Sequence, residues 1–161
     1  MANRPNADRT FETFRSDDTP VKAVIGQPDV DQSNISQSDK NSGGNESLAL
    51  ALSIVEAADD RKAADIAVLD VADVSYLADY FVVMTGYSNV QVRAIARAID
   101  QSVEDRWGRT PQRVEGITDG NWILLDYGDI IVHIFMPRER EYYGLEAFWG
   151  HARRVDLAQA S

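Results

Sequence analysis

The chain has 161 residues, of which 44% are hydrophobic and 26% charged, and its formal charge is −10 at pH 7. That length suits one domain, and the balance of apolar and charged residues is that of an ordinary globular protein. The acidic excess argues against broad binding to nucleic-acid phosphates, the lack of cysteine removes disulfides, thiolate metal sites and cysteine nucleophiles, and no apolar run reaches the roughly 18 residues of a membrane span.

Residues 1–45 read as a disordered tail. They are rich in Asp, Ser, Asn, Gln, Pro and Gly, and their few apolar residues keep no period that would offset the ordering entropy. Phe11 and Phe14, flanked by Arg9 and Arg15, make a short partner-binding motif or simply part of a solvated tail. The N-terminus has no apolar core of a secretory signal, and seven acids before position 46 argue against an organelle transit peptide, so a cytoplasmic location is expected. Residues 46–161 hold 19 acids and 11 Arg or Lys. The acidity thus belongs to the expected domain and favours a basic partner, with solubility alone as the plainer reading.

The domain is expected over 46–150, with a C-terminal tail over 151–161. Leu48, Leu52 and Val55 predict an amphipathic helix from Glu46 to Ala58, with Asn45 as its N-cap. Asp65–Val71 and Asp79–Thr85 predict two strands. Ser88 and Gln91 match a capping box, opening a helix from Asn89 to about Trp107 that buries Val92, Ile95, Ile99 and Val103. Gly108 follows as its C′ residue, while Arg93, Arg97 and Arg106 fall off the stripe. A short strand is expected over Gln112–Glu115. Alternating strands and helices predict an α/β fold of α+β type, a mixed sheet of about five strands packed on helices.

Asn121–Asp126 and Asp129–Met136 predict a hairpin closed by Tyr127-Gly128. That loop would set Asp126 opposite Asp129, Leu124 opposite Ile131 and Trp122 opposite His133. One face, with Ile123, Leu125, Ile130, Val132, Ile134 and Met136, is wholly apolar and should be core. The other carries Trp122, Leu124, Asp126, Asp129, Ile131, His133 and Phe135, a mixture typical of an interface centre and its rim. Opposed carboxylates would repel unless solvent or a cation lies near. Three plainer readings compete: a helix of the same chain covers this face, the aspartates are turn residues, or His133 is a hydrogen-bonded structural histidine. The aromatics from Tyr142 to Trp149 have packing as their default role.

Catalytic signals are weak. There is no H-E-x-x-H, no G-x-S-x-G and no phosphate-binding G-x-x-x-x-G-K-[ST]. Ser88 at a helix start offers what most capped helices offer an anion. Asp65, Asp70, Asp79, Asp126 and Asp129 could gather around Mg²⁺, but no D-x-D pair lies on a strand and no basic cradle accompanies them. No catalytic residue, metal or cofactor is expected.

From about Ser47 to Trp149 the chain resembles the Iojap/RsfS ribosomal silencing factors. The resemblance rests on DIAVLDV, DYFVVMTGYSNVQVRAIA, VEG, NWILLDYGDIIVHIF and REREYYGLEAFW, and above all on W-x-x-x-D-x-G-D-x-x-V-H followed by R-x-x-Y-x-L-E-x-x-W. Tyr87, Asn89 and Phe148 depart from the family pattern. The resemblance implies a nucleotidyltransferase-like fold without its catalytic residues. It implies binding to ribosomal protein uL-fourteen on the large ribosomal subunit, which blocks subunit joining sterically and represses translation. Neither a membrane nor direct sequence-specific nucleic-acid binding is implied. Carried over, the contact set is Trp122, Leu124, Asp126 and Tyr127, with Asp129 and His133 as neighbours; Arg138, Tyr142, Leu145, Glu146 and Trp149 would fix the C-terminal segment to the sheet. The alternatives are a nucleotidyltransferase-type nucleotide-binding enzyme, and an adaptor whose hairpin face forms a homodimer.

Overall fold

The computed structural model describes residues 38–160, and the side chains of residues 43–159. Of the expected tail, residues 1–37 lie outside that range. Strands β1 (Ala64–Asp70), β2 (Tyr80–Thr85), β3 (Arg113–Glu115), β4 (Trp122–Asp126), β5 (Ile130–Phe135) and β6 (Arg153–Arg154) form one sheet in the order β3-β4-β5-β2-β1-β6. Only β2 and β5 run parallel; the other neighbours are antiparallel. The mixed sheet is as expected, with one strand more than the sequence suggested. No described helix is long and apolar enough to cross a membrane.

The centre of the sheet explains its composition. Every residue of β2 and β5 is buried, because layers cover both faces. On one face lie α1 (Ser38–Asp59) and α2 (Asn89–Trp107). Leu50, Ile54, Val92, Ile95, Ile99 and Val103 pack there against Val82, Met84, Ile123, Leu125, Val132 and Ile134. On the other face, Leu69, Phe81, Val83, Ile131 and Phe135 form a smaller core with Leu145 and Trp149. Its cover comes from α3 (Pro137–Tyr143), α4 (Leu145–Phe148) and the residues up to Ala152, after which β6 joins the sheet edge and α5 (Leu157–Ala160) returns to the main core through Leu157. The stretch read as a C-terminal tail therefore holds an edge strand and a helical turn.

Several local expectations hold. Ser88 caps α2 by accepting the Gln91 N–H at 3.0 Å, and Gln91 reaches back to the N–H of Tyr87 at 2.8 Å. Gly108 ends α2 at φ +62°. One expectation fails: α1 starts at Ser38, so Asn45 lies inside the helix and is not its N-cap. Arg93 is also no solvated bystander, since it donates to the carbonyls of Ile117 and Thr118 at 2.9 and 2.6 Å and pins the loop before β4.

That loop depends on Gly116, at φ +83°. A Cβ there would collide with the carbonyl oxygen of Trp122, a backbone atom that cannot rotate away. Gly116→Ala is therefore expected to cost more than about 3 kcal/mol and to lower the melting midpoint by roughly 10 °C, measured by thermal and denaturant unfolding.

Asp100 on α2 is buried, and its Oδ1 has no partner among the described residues. Burial first, and Glu104 second, push its pKa from 3.8 up to about 6. The folded state thus holds this proton more tightly than the unfolded chain, and the group costs stability as pH rises through that window. Asp100→Asn is expected to stabilise the fold by about 2–3 kcal/mol at pH 7. The gain should shrink as pH falls through 6 and vanish below about 4; unfolding curves across that range check it.

Candidate functional site

Strand β4 lies next to the sheet edge, and its burial alternates. Its outer row is Trp122, Leu124 and Asp126, all partly exposed. The Trp122 indole is held from several sides. It stacks on Phe135 with centroids 4.9 Å apart, lies 4.7 Å from the Tyr143 ring, and donates its N–H to Nδ1 of His133 at 3.2 Å. Leu124 sits between Glu115 on β3 and His133 on β5. Asp126 accepts the Gly128 N–H at 2.8 Å. Its cross-strand neighbour is Arg113, which pairs with Glu115 at 2.8 Å. The row therefore presents a fixed aromatic ring, an aliphatic side chain and a carboxylate on a rigid strand.

The hairpin register differs from expectation. Trp122 pairs with Phe135, Leu124 with His133 and Asp126 with Ile131. The turn is Gly128-Asp129, closed by the Tyr127 N–H on the Ile130 carbonyl at 2.8 Å, with Gly128 at φ +91°. The slip is two residues, an even number, so the side chains of β4 and β5 keep their faces, while Asp129 leaves the strand for the turn. The expected repulsion between Asp126 and Asp129 does not arise, because Asp126 faces Ile131 while Asp129 lies in the turn and pairs with Arg109.

Three of the six expected contact residues are engaged within the chain itself. Tyr127 is 1% exposed, its ring turned into the main core; its N–H closes the turn and its carbonyl accepts from Arg109 at 2.6 Å. Asp129 points toward α1. It takes a bidentate Arg109 guanidinium at 2.6 and 3.3 Å and the Ser47 hydroxyl at 2.8 Å. Burial pushes this carboxyl up, but those hydrogen bonds outweigh it and hold the pKa below the usual range. His133 is 5% exposed and meets Phe81 edge-on at 5.4 Å. Burial pushes its pKa down to about 4, so it is neutral at pH 7. Because Nδ1 accepts from Trp122, Nε2 carries the proton. His133 is thus a structural histidine beneath Trp122, and residues of the same chain cover this part of the face.

Other residues shape the site without having been expected there. Arg109 ties the hairpin turn to the loop after α2. Tyr143 walls the indole, and Tyr142 meets Tyr143 edge-on at 5.1 Å while 81% exposed. The aromatic row thus continues from the sheet onto α3, where packing was the default expectation. Phe148 also stands exposed, and Arg138 with it, whereas Leu145, Glu146 and Trp149 do anchor the segment.

A family model described as "Ribosomal silencing factor during starvation", RsfS, matches residues 44–161. The chain belongs to the RsfS family. The resemblance read from the hairpin motif is thereby borne out. A relative named ribosomal silencing factor RsfS from Bacillus subtilis is 44% identical over 101 residues, covering 63% of this chain and 85% of its own. The chloroplastic protein Iojap of Zea mays is 39% identical over 113 residues, 70% of this chain and 48% of the maize protein. Among solved structures, a Chromobacterium violaceum protein superposes with a TM-score of 0.60 at 38% identity, over 66% of this chain and 85% of its own. The RsfS match takes in the sheet, the Trp122–Leu124–Asp126 row and the C-terminal cover.

Proposed function

We propose that this RsfS-family chain silences ribosomes by docking its β4 face on ribosomal protein uL-fourteen of the large subunit. Occupying that surface stops the small subunit from joining and represses translation. The action is steric and cytoplasmic, and needs no bond-making, cofactor or metal. The observation that carries this reading is the partly exposed Trp122–Leu124–Asp126 row on β4, beside the wholly buried strand β5. Trp122 and Leu124 suit desolvated anchors, and Asp126 suits a charge-assisted hydrogen bond from an Arg or Lys. The acidic charge of −10 favours a basic partner.

Sedimentation with purified subunits tests it. The protein is expected to travel with the large subunit and to reduce the joined-ribosome peak. Protein that stays at the top of the gradient, with joining unaffected, would overturn the proposal. A photo-reactive residue at Leu124 should crosslink to uL-fourteen; crosslinking to another ribosomal protein would move the partner.

A further inference from the structure

A second surface lies apart from the β4 row. Between the C-terminal half of α1, the start of β1, the end of α2 and α5 runs a groove of about 840 Å³. Its lining includes Leu52, Val55, Ile66, Trp107 and Leu157, none of them fully buried. Its rim carries Glu56, Asp59 and Asp65 against one cation, Arg106, which already pairs with Glu56 at 3.1 Å. Ser53 also lines it; that side chain is buried, and its hydroxyl has no hydrogen-bond partner among the described residues. The groove is thus apolar at its centre, acidic at its edge, and holds one polar group short of a partner.

The sequence contains a segment of complementary chemistry, Arg9-Thr10-Phe11-Glu12-Thr13-Phe14-Arg15. We propose that this segment seats in the groove of its own chain. Phe11 and Phe14 lie against the apolar lining, Arg9 and Arg15 meet the acidic rim, and a polar group of the segment satisfies Ser53. Reach agrees with this. Residues 16–37 separate the segment from the start of α1. A chain of about 22 residues has a root-mean-square reach of roughly 26 Å. The distance along α1 from Ser38 to Val55 is also roughly 26 Å at 1.5 Å per residue. A linker matched to its span gives an effective concentration in the millimolar range, so a weak contact suffices. The segment lies outside the part matched by the RsfS model, and the inference does not rest on the proposed ribosomal role.

The test uses the full-length ¹⁵N-labelled chain and the double variant Phe11→Ser/Phe14→Ser, which alters no residue of the sheet or its covers. Amide signals of Leu52, Val55 and Ile66 and the Trp107 indole signal are expected to move, with the Trp122 and Trp149 indole signals unmoved. A peptide spanning residues 7–17, added to the variant, should return the groove signals toward their wild-type positions. Identical groove signals in both proteins, or changes confined to another surface, would overturn the proposal. Shifts that fade on twenty-fold dilution would place the segment of a second copy in the groove, which also overturns seating within one chain.

Discussion

Asp126→Lys is expected to remove the protein from the large ribosomal subunit while leaving the fold standing. The substituted side chain would sit beside Arg113, its cross-strand neighbour, and turn the one carboxylate of the β4 row into a second cation. Like charges set against a basic partner cost several kcal/mol, so at least about a hundred-fold loss of affinity follows. The intramolecular loss is smaller. Asp126 is partly exposed, and its one hydrogen bond, from the Gly128 N–H, contributes about 1 kcal/mol. Asp126→Asn keeps an acceptor for that N–H but gives up the charge, and roughly ten-fold weaker binding is expected. Gradient sedimentation and a competition binding curve rank the three proteins, and a melting curve shows that each is folded. If the lysine variant still travels with the large subunit, the docking site is not this row.

Arg140→Met is expected to loosen the C-terminal cover. The Arg140 side chain is only 14% exposed. Its guanidinium donates to Glu146 at 3.1 and 2.8 Å and to the Thr85 hydroxyl at 2.7 Å, tying α3 to α4 and to the end of β2. Methionine keeps the apolar stem but strands those acceptors. Breaking such a pair, with Glu146 still partly solvated and near Arg154, should cost about 2–3 kcal/mol. The variant should also show red-shifted tryptophan emission as Trp149 leaves Phe81, which it now meets edge-on at 5.3 Å. The pH dependence carries a further sign. The Arg140 hydrogen bonds hold the Glu146 carboxyl below its ordinary value of 4.5. Its contribution is therefore complete above that value and is lost as pH falls through the lowered one. In the methionine variant this acid-limb slope should flatten. Because Tyr143 on α3 walls the Trp122 indole, ribosome binding should weaken too, although Arg140 lies outside the docking row. An unchanged melting curve and emission spectrum would mean that apolar packing alone holds the cover.

The shared face of the proposed docking row was legible from the sequence because alternation along a strand is a local property. Trp122, Leu124 and Asp126 keep their face whether the hairpin turns at Tyr127-Gly128 or at Gly128-Asp129. What depended on the turn itself was misread. Gly128 at φ +91° sits at the first central position of the turn, and this moves Asp129 off the strand and toward Arg109 and Ser47. The burial of Tyr127 and His133 depends on α1, α2 and α3 packing from a distance, which no local pattern encodes. The start of α1 was missed because the stretch up to Asn45, with Gly43 and Gly44 in it, was assigned to the tail, whereas glycine weakens a helix by about 1 kcal/mol without forbidding it. Strand β6 has only two residues, both arginine, and no alternation to detect. It exists because β1 offers an edge and because Asp70 and Glu146 stand ready to accept the arginines at 2.9 and 3.4 Å.

The pairing of β6 with β1 also bears on when the molecule can take shape. The first strand waits for the last, and the outer face of β2 waits for Leu145 and Trp149. Domains made on the ribosome emerge from the N-terminus, so α1, β1 and β2 appear long before their C-terminal partners. Throughout that interval Leu69, Phe81 and Val83 lack their cover, and Trp122, once made, lacks the Tyr143 wall. A factor proposed to silence ribosomes is therefore without its finished docking surface for as long as a ribosome is still making it.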